Sequence, residues 1–176
     1  VSVEQDDIRA ITVNDETLLA APQIAAVVRK CEQFGLGPRF VALVTDELHD
    51  RLDQKFGRMS RDESWQERML GLDVEEQIQL LGFVATPADE TETASQCRKY
   101  VEQLFKAEAD RQIDQLAWLR LDRLGMRALG KQALSATEFL YLRLLICGRG
   151  ASDARYVMID EVQDYTAAQL RVLAKF

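Results

Sequence analysis

The chain has 176 residues, of which 47% are hydrophobic and 29% are charged, and its formal net charge is −7 at pH 7. This composition is typical of a folded protein with one core or two small lobes. Nothing in the composition indicates a disordered chain. An acidic chain does not attract nucleic acid through its overall field, so a nucleic-acid contact would require a local basic patch or further parts of the protein.

The first nineteen residues predict an extended segment. A β-like run covers residues 8–13, and Asn14-Asp15 follows it as a turn signal. The pattern indicates one short strand or an extended arm.

Two helices are predicted next. The first runs from Pro22 to about Phe34, because proline suits the first helical turn and apolar residues recur at helical spacing. The second covers about Phe40–Phe56, where an apolar stripe lies opposite a run of acids. Residues 57–64 are predicted as a loop, and Trp65–Leu70 as a short turn of helix.

Capping signals mark the helices in the middle of the chain. Asp73 is an expected N-cap, and Glu76 completes its capping box at the start of a short helix. The longest helix is predicted from about Glu90 past Asp114, with Leu124 as its farthest end. A helix of this length in a small chain is expected to project as an arm or to pair as a hairpin.

The last two helices also begin at capping residues. Ser135, with Glu138 three residues later, predicts a helix across Phe139–Cys147, and Gly148 stops it. Thr166 is predicted to cap the final helix. Its inward residues are expected to be Leu170, Leu173 and Phe176.

Cysteine usage and hydropathy limit the setting of the protein. The three cysteines, Cys31, Cys97 and Cys147, are far apart in the sequence, which argues against a zinc knuckle and a secreted disulfide framework. They predict buried small side chains in a reducing, cytoplasmic setting. No apolar run approaches the ~20 residues of a membrane span, so no membrane partner is expected.

Three further patterns are interpreted as structural. Gly125–Lys131 matches most of the phosphate-binding pattern G-x-x-x-x-G-K-[ST]. However, Gln132 replaces the hydroxyl residue and no buried strand precedes the glycines, so an inter-helix turn is predicted. His49 is the only histidine and predicts a solvated helix position. The basic residues from Arg111 to Lys131 alternate with acids, which favours a salt-bridged surface over a nucleic-acid contact.

The strongest chemical signal lies near the end of the chain. Tyr156–Ile159 is an apolar run too short for a helix, which predicts a strand buried on both faces. Asp160 and Glu161 follow it, and ligands of α/β sheets lie at the carboxyl ends of the strands. In a nucleotide hydrolase, one such carboxylate holds Mg²⁺ and the next orients and deprotonates the attacking water.

The string Tyr156-Val-Met-Ile-Asp-Glu-Val-Gln-Asp-Tyr165 resembles motif II, the Walker B segment, of UvrD/Rep-like superfamily 1 helicases. This resemblance implies that Asp160 is the Mg²⁺ ligand and Glu161 the catalytic base for ATP hydrolysis. It also implies that Gln163 senses the γ-phosphate and that Asp164 couples the nucleotide to the rest of the motor.

The sequence of residues 160–166, together with Gln169 and Leu170, is most similar to the HelD branch, whose members are ATPases that recycle RNA polymerase. The resemblance implies a fold that is mostly α with a small α/β portion. In that arrangement a helical insertion with a long arm is attached to a fragment of a RecA-like P-loop NTPase domain. Residues 1–19 would be a strand or arm, 20–150 the insertion, and 151–176 the Walker B strand and following helix.

The parent protein is expected to be an ATPase acting on DNA or RNA polymerase, and this segment alone is expected to be inactive. Two other functions stay open at this point. One alternative is a helical interaction arm that docks on RNA polymerase or another partner, which an exposed apolar patch across Glu90–Leu124 would favour. The other is a DNA-repair helicase, which a basic surface stripe would favour.

Overall fold

The computed structural model describes residues 2–148 and 161–174. These residues are mostly helical and include one two-stranded sheet, which confirms the mostly helical prediction. They divide into two compact units. Unit 1 contains the described parts of 1–9, 25–44 and 119–176, and unit 2 contains 10–24 and 45–118. The helical insertion that the sequence predicts across residues 20–150 stays a prediction.

Ten regular elements follow one another along the described chain. They are β1 (Ile11–Val13), β2 (Glu16–Leu19), α1 (Ala21–Cys31), α2 (Pro38–Met59), α3 (Glu63–Leu70), α4 (Val74–Leu81), α5 (Glu90–Asp114), α6 (Leu121–Leu129), α7 (Ala136–Cys147) and α8 (Ala167–Leu173). Short 3-10 helices cover Gln5–Asp7, Glu32–Phe34 and Val162–Asp164.

The predicted single strand is one half of a hairpin. β1 and β2 pair antiparallel, with Val13 opposite Glu16. Asn14 and Asp15 form the connection, and both have positive φ, 49° and 64°. A two-residue loop with positive φ at both positions matches the twist of paired strands, and Asn and Asp tolerate it better than most residues. The turn signal was therefore correct, while the second strand was not predicted.

The predicted loop at residues 57–64 was wrong at both ends. α2 continues through Gly57 to Met59, and α3 begins at Glu63. The carboxylate of Asp62 accepts a hydrogen bond from the Ser64 backbone N–H at 3.0 Å and so caps α3. The side-chain hydrogen bond from Ser64 is the main cause that holds the pKa of Asp62 below its usual range. Only residues 60–62 therefore separate α2 from α3, and the last of them, Asp62, is the N-cap of α3.

α5 is the central helix of unit 2 and does not project as an arm. It packs against β1, α3 and α4, and six of its side chains are buried. They are Cys97, Tyr100, Val101, Phe105, Ala109 and Ile113. Their spacing of three or four residues places them on one face.

α5 ends at Asp114, well before the predicted limit at Leu124. Leu116 takes a left-handed conformation with φ of 59°, which no helix can continue through. The indole Nε1–H of the buried Trp118 donates to the Ile113 carbonyl at 3.3 Å. The end of α5 is therefore set by burial of Leu116 and Trp118 and not by a glycine or proline.

Unit 1 is organised around the buried carboxylate of Asp7. Arg127 donates to both of its oxygens, at 3.1 and 2.7 Å, and the Glu4 backbone N–H donates at 2.8 Å. The hydrogen bond to Asp7 raises the pKa of Arg127. The Asp7 carbonyl also accepts from the Arg120 backbone N–H at 2.7 Å. The N-terminal segment is thereby attached to the start of α6.

Capping residues place α7 and α8 where the sequence predicted them. Ser135 and Glu138 form the capping box of α7, and Thr166 caps α8. Gly148 ends α7 with φ of +84°, and a Cβ there would lie 2.8 Å from Pro38 Cγ. On α8 the buried side chain is Val172. Leu170 and Leu173 are only half-buried, contrary to the predicted inward face, and Phe176 lies outside the described residues.

The central position of α5 gives a first testable prediction. Ile113→Ala should lower the free energy of unfolding of unit 2 by about 3 kcal/mol, because it leaves a cavity in a closely packed site. Urea denaturation followed by tryptophan fluorescence measures this, since both tryptophans, Trp65 and Trp118, lie in unit 2.

Ile78→Ala is the matched control, because Ile78 is exposed on α4. This variant should change the free energy of unfolding by less than about 0.5 kcal/mol. Equal effects of the two substitutions would contradict the assignment of α5 as the core helix of unit 2.

Candidate functional site

Residues 161–166 form a tight turn that leads into α8. Glu161 is followed by the 3-10 helix Val162–Asp164, and the Asp164 backbone N–H donates to the Glu161 carbonyl at 2.9 Å. The Gln163 side-chain amide donates to the Glu161 carboxylate. The turn therefore brings together two of the side chains for which the resemblance implies roles at the nucleotide.

Glu161 has an unusual backbone conformation. Its φ and ψ are 50° and 48°, in the left-handed region that residues other than glycine, asparagine and aspartate rarely adopt. Such strain costs roughly 1–2 kcal/mol and is concentrated at functional sites in proteins. The conformation turns the chain sharply at the carboxylate, and the side chains of Glu161, Gln163 and Asp164 are all exposed.

Two parts of the predicted site lie outside the described residues. They are Asp160, the expected Mg²⁺ ligand, and the expected strand Tyr156–Ile159. Among the residues that are described, no group of three or more His, Cys, Asp or Glu side chains could hold a metal ion. The carboxylate donor of Glu161 is nonetheless of the type that Mg²⁺ prefers.

Gln169 has a local role that the sequence comparison with motif II did not include. The Thr166 backbone N–H donates to the Gln169 side chain at 2.7 Å, and the Gln169 backbone N–H donates to the Thr166 hydroxyl at 3.3 Å. This capping box fixes the start of α8 directly after the turn. Capping is thus a sufficient reason for a glutamine at this position.

The Gly125–Lys131 segment is not a phosphate-binding loop. Gly125 lies buried within α6, where a Cβ would come within 2.7 Å of Leu134 and Leu142 side-chain atoms. Gly130 ends α6 in a left-handed conformation, and the Lys131 ammonium pairs with Glu138. The structural interpretation is confirmed, but the predicted inter-helix turn includes only Gly130, because Gly125 lies inside α6 and permits close helix packing.

His49 lies on α2 with 33% of its side chain exposed, and it has partners that the sequence analysis did not predict. Its Nδ1 lies 3.1 Å from Asp110 Oδ1, and its Nε2 lies 2.8 Å from Asp114 Oδ1. The histidine therefore links α2 to α5 within unit 2. The spacing of four residues between Asp110 and Asp114 was the available signal, since it places both carboxylates on one helical face.

The basic residues between Arg111 and Lys131 are engaged with acids of the same unit. Arg123 lies 3.2 Å from Asp6, and Arg127 lies 3.1 Å from Glu4. Arg111 pairs with Glu108 at 2.6 Å. These ion pairs confirm the salt-bridged interpretation, because their positive charge is already compensated.

The cavity closest to the turn is too small for a nucleotide. A cavity of about 160 Å³ between α7 and α8, close to the turn, is lined by Tyr141, Ala168 and Arg171 among others. It is smaller than the roughly 300 Å³ at which ligand pockets begin. An open depression of about 840 Å³ in unit 2 includes Arg98, whose guanidinium already pairs with Asp53 and Glu102.

Cys97 is unsuited to nucleophilic chemistry. Burial is the main cause that raises the pKa of its thiol to about 11, and Asp62 adds to the shift. A thiol with so high a pKa carries almost no thiolate at neutral pH. Its structural role on the buried face of α5 agrees with the sequence prediction.

No helix within residues 2–148 and 161–174 has the length and apolar character needed to cross a bilayer.

Comparisons with known proteins return no relative. No protein-family model, no curated protein and no solved structure matches this chain.

The Lys131–Glu138 pair gives a prediction for pH. The hydrogen bond from Lys131, followed by those from Ser135, lowers the pKa of Glu138 from 4.5 to about 2. Because the folded-state pKa is depressed, the pair's stabilisation is present above pH 4.5 and is lost as the pH falls toward about 2. Carbon-detected NMR should show Glu138 still ionised midway through this window.

Lys131→Met is the control, because it removes the ammonium and keeps the length of the side chain. The Glu138 carboxyl should then titrate closer to its ordinary pKa of 4.5. An unchanged titration midpoint in this variant would show that Lys131 does not control the charge of Glu138.

Proposed function

We propose that this chain is part of an ATP-dependent superfamily 1 helicase-like motor and that residues 156–165 are its Walker B segment. The observation that carries the proposal is the run Asp-Glu-Val-Gln-Asp-Tyr after four apolar residues. An Asp-Glu pair at the end of a strand is common, but the following Gln163 and Asp164 make the resemblance specific.

The geometry of the described turn supports this proposal. Glu161 occupies a left-handed conformation, and its carboxylate accepts a hydrogen bond from Gln163. A strained residue that orients an exposed carboxylate is expected where that carboxylate must meet a ligand. The capping box at Thr166 then gives the turn a fixed support in α8.

Each residue of the segment has a defined chemical role in the proposal. Asp160 would hold the Mg²⁺ that neutralises the phosphates of ATP, and Glu161 would orient and deprotonate the attacking water. Gln163 would contact the γ-phosphate, and Asp164 would link the nucleotide to the rest of the motor. Through the hydrogen bond from its side-chain amide to the Glu161 carboxylate, Gln163 would link the γ-phosphate contact to the catalytic base.

The partner of the proposed motor is DNA or RNA polymerase, and its setting is the cytoplasm. The alternative of an apolar docking arm at residues 90–124 is not favoured, because none of the exposed large hydrophobic residues of the described chain lies in that range. A DNA-binding stripe across Arg111–Lys131 is not favoured either, because Arg111, Arg123, Arg127 and Lys131 are paired with acids.

ATP hydrolysis by the parent protein that carries this segment tests the proposal. Glu161→Gln should lower the rate of ATP hydrolysis by about 100-fold or more, because loss of a general base typically costs that much. A coupled phosphate-release assay measures the rate. Glu32→Gln, a neutralised exposed glutamate in the 3-10 helix Glu32–Phe34, should leave the rate unchanged.

Two results would contradict the proposal. One is a parent protein without Mg²⁺-dependent ATP hydrolysis. The other is a Glu161→Gln variant that hydrolyses ATP as fast as the Glu32→Gln control.

The 176-residue chain by itself should not bind Mg-ATP measurably in isothermal titration calorimetry. Positioning of the phosphates supplies most of the affinity and catalysis in such enzymes, and Gly125–Lys131 does not provide it. Tight binding that Lys131→Met abolishes would instead identify that segment as a phosphate site.

A further inference from the structure

The short helix α4 exposes the apolar side chains of Val74 and Ile78, keeps Leu80 and Leu81 half-buried, and buries the polar Gln77. Val74 and Ile78 are 59% and 52% exposed, whereas Gln77 is only 5% exposed. Val74 and Ile78 are one helical turn apart, so their side chains are neighbours on the same face. An amphipathic helix that only supported the core of unit 2 would have the opposite orientation.

The rotation of α4 is fixed by the hydrogen bonds of Gln77. Its side-chain amide donates to the Leu72 carbonyl at 3.2 Å, and its side-chain oxygen accepts from the Ala85 backbone N–H at 2.8 Å. The capping box of Asp73 and Glu76 fixes the first turn. Turning Val74 and Ile78 inward would break the Gln77 hydrogen bonds and bury an unsatisfied amide, which is costly.

The residues that flank α4 extend this apolar character. Leu70, at the end of α3, is 45% exposed, and Val84, in the loop after α4, is 41% exposed. We refer to Leu70, Val74, Ile78 and Val84 as the α4 surface. Single exposed apolar residues need no explanation, but the adjacent pair Val74 and Ile78, with two more exposed apolar residues close in the sequence, is typical of an interaction site.

Acidic residues predominate in the segment around α4, although the Lys99 ammonium lies 5.2 Å from the centre of the Phe83 ring. Residues 69–97 contain six acids and no lysine, arginine or histidine. The acids are Asp73, Glu75, Glu76, Asp89, Glu90 and Glu92. This segment therefore accounts for a formal charge of −6, while the whole chain carries −7.

We propose that the α4 surface is a docking site for an amphipathic helix of another protein whose apolar face is bordered by lysine and arginine. Apolar side chains of such a helix would cover Val74 and Ile78, and its basic border would meet Glu75 and the neighbouring acids. Nucleic acid does not fit, because its phosphates would be repelled. A second copy of this chain does not fit either, because it would bring two acidic segments together.

This proposal is independent of the Walker B segment, since it rests on unit 2 alone. It differs from the docking arm considered for residues 90–124 both in place and in partner chemistry. The surface belongs to the α3–α4 region, and α5 supplies only the support behind it.

A designed pair of peptides tests the proposal. The probe is a fluorescein-labelled amphipathic helix of leucine and lysine, and its counterpart has glutamate in place of lysine. The 176-residue chain should bind the lysine peptide with micromolar affinity that weakens as salt is added, and it should not bind the glutamate peptide. Fluorescence anisotropy measures both, and ¹⁵N NMR should show chemical-shift changes concentrated in residues 70–84.

The double variant Val74→Ser/Ile78→Ser should bind the lysine peptide at least about tenfold more weakly, corresponding to about 1.4 kcal/mol. Both positions are exposed, so circular dichroism should show an unchanged fold. Leu140→Ser/Leu145→Ser is the matched control, because it removes two exposed leucines of α7 in unit 1. The control should bind like the unmodified chain.

Three outcomes would overturn the proposal. They are equal binding by the Val74→Ser/Ile78→Ser variant, equal binding of the glutamate peptide, and self-association of the chain that this variant abolishes. The last result, read from sedimentation velocity, would assign the α4 surface to a second copy of the chain.

Discussion

Burial of one face of α5 is the constraint on which unit 2 depends. That face contacts β1, α3 and α4, and the polar groups beside it bind α2. The Arg98 guanidinium donates to the Asp53 carbonyl at 2.8 Å, and His49 lies between two aspartates of α5. A helix held on so many sides supports the other elements of unit 2, among them the short helix α4, on which Val74 and Ile78 are exposed.

Local signals predicted the helices well, because the residues that begin them act through their nearest neighbours. Asp73 and Ser135 each form the capping box that the sequence predicted, and Thr166 caps α8 as expected. The predictions that failed concern features that depend on tertiary packing. α5 ends at Asp114 because the side chains of Leu116 and Trp118 are buried, and no local rule predicts a leucine with positive φ at position 116.

The candidate site was predictable only in its chemical composition. The order of residues from Glu161 to Asp164 indicated which groups belong together, but the left-handed conformation of Glu161 and its hydrogen bond from Gln163 depend on the folded turn. His49 shows the same limit, because its partners Asp110 and Asp114 are about sixty residues away. The orientation of α4 was equally hidden, since hydrogen bonds of Gln77 and not hydrophobicity determine it.

In the proposed motor, Asp160 would bind the metal ion and Glu161 would transfer the proton. Electron paramagnetic resonance of Mn²⁺ bound with ATP to the parent protein separates these roles. Asp160→Asn should weaken Mn²⁺ binding at least about tenfold, because it removes a charged ligand. Glu161→Gln should leave that affinity nearly unchanged. Undiminished Mn²⁺ binding by the Asp160→Asn variant would contradict the account.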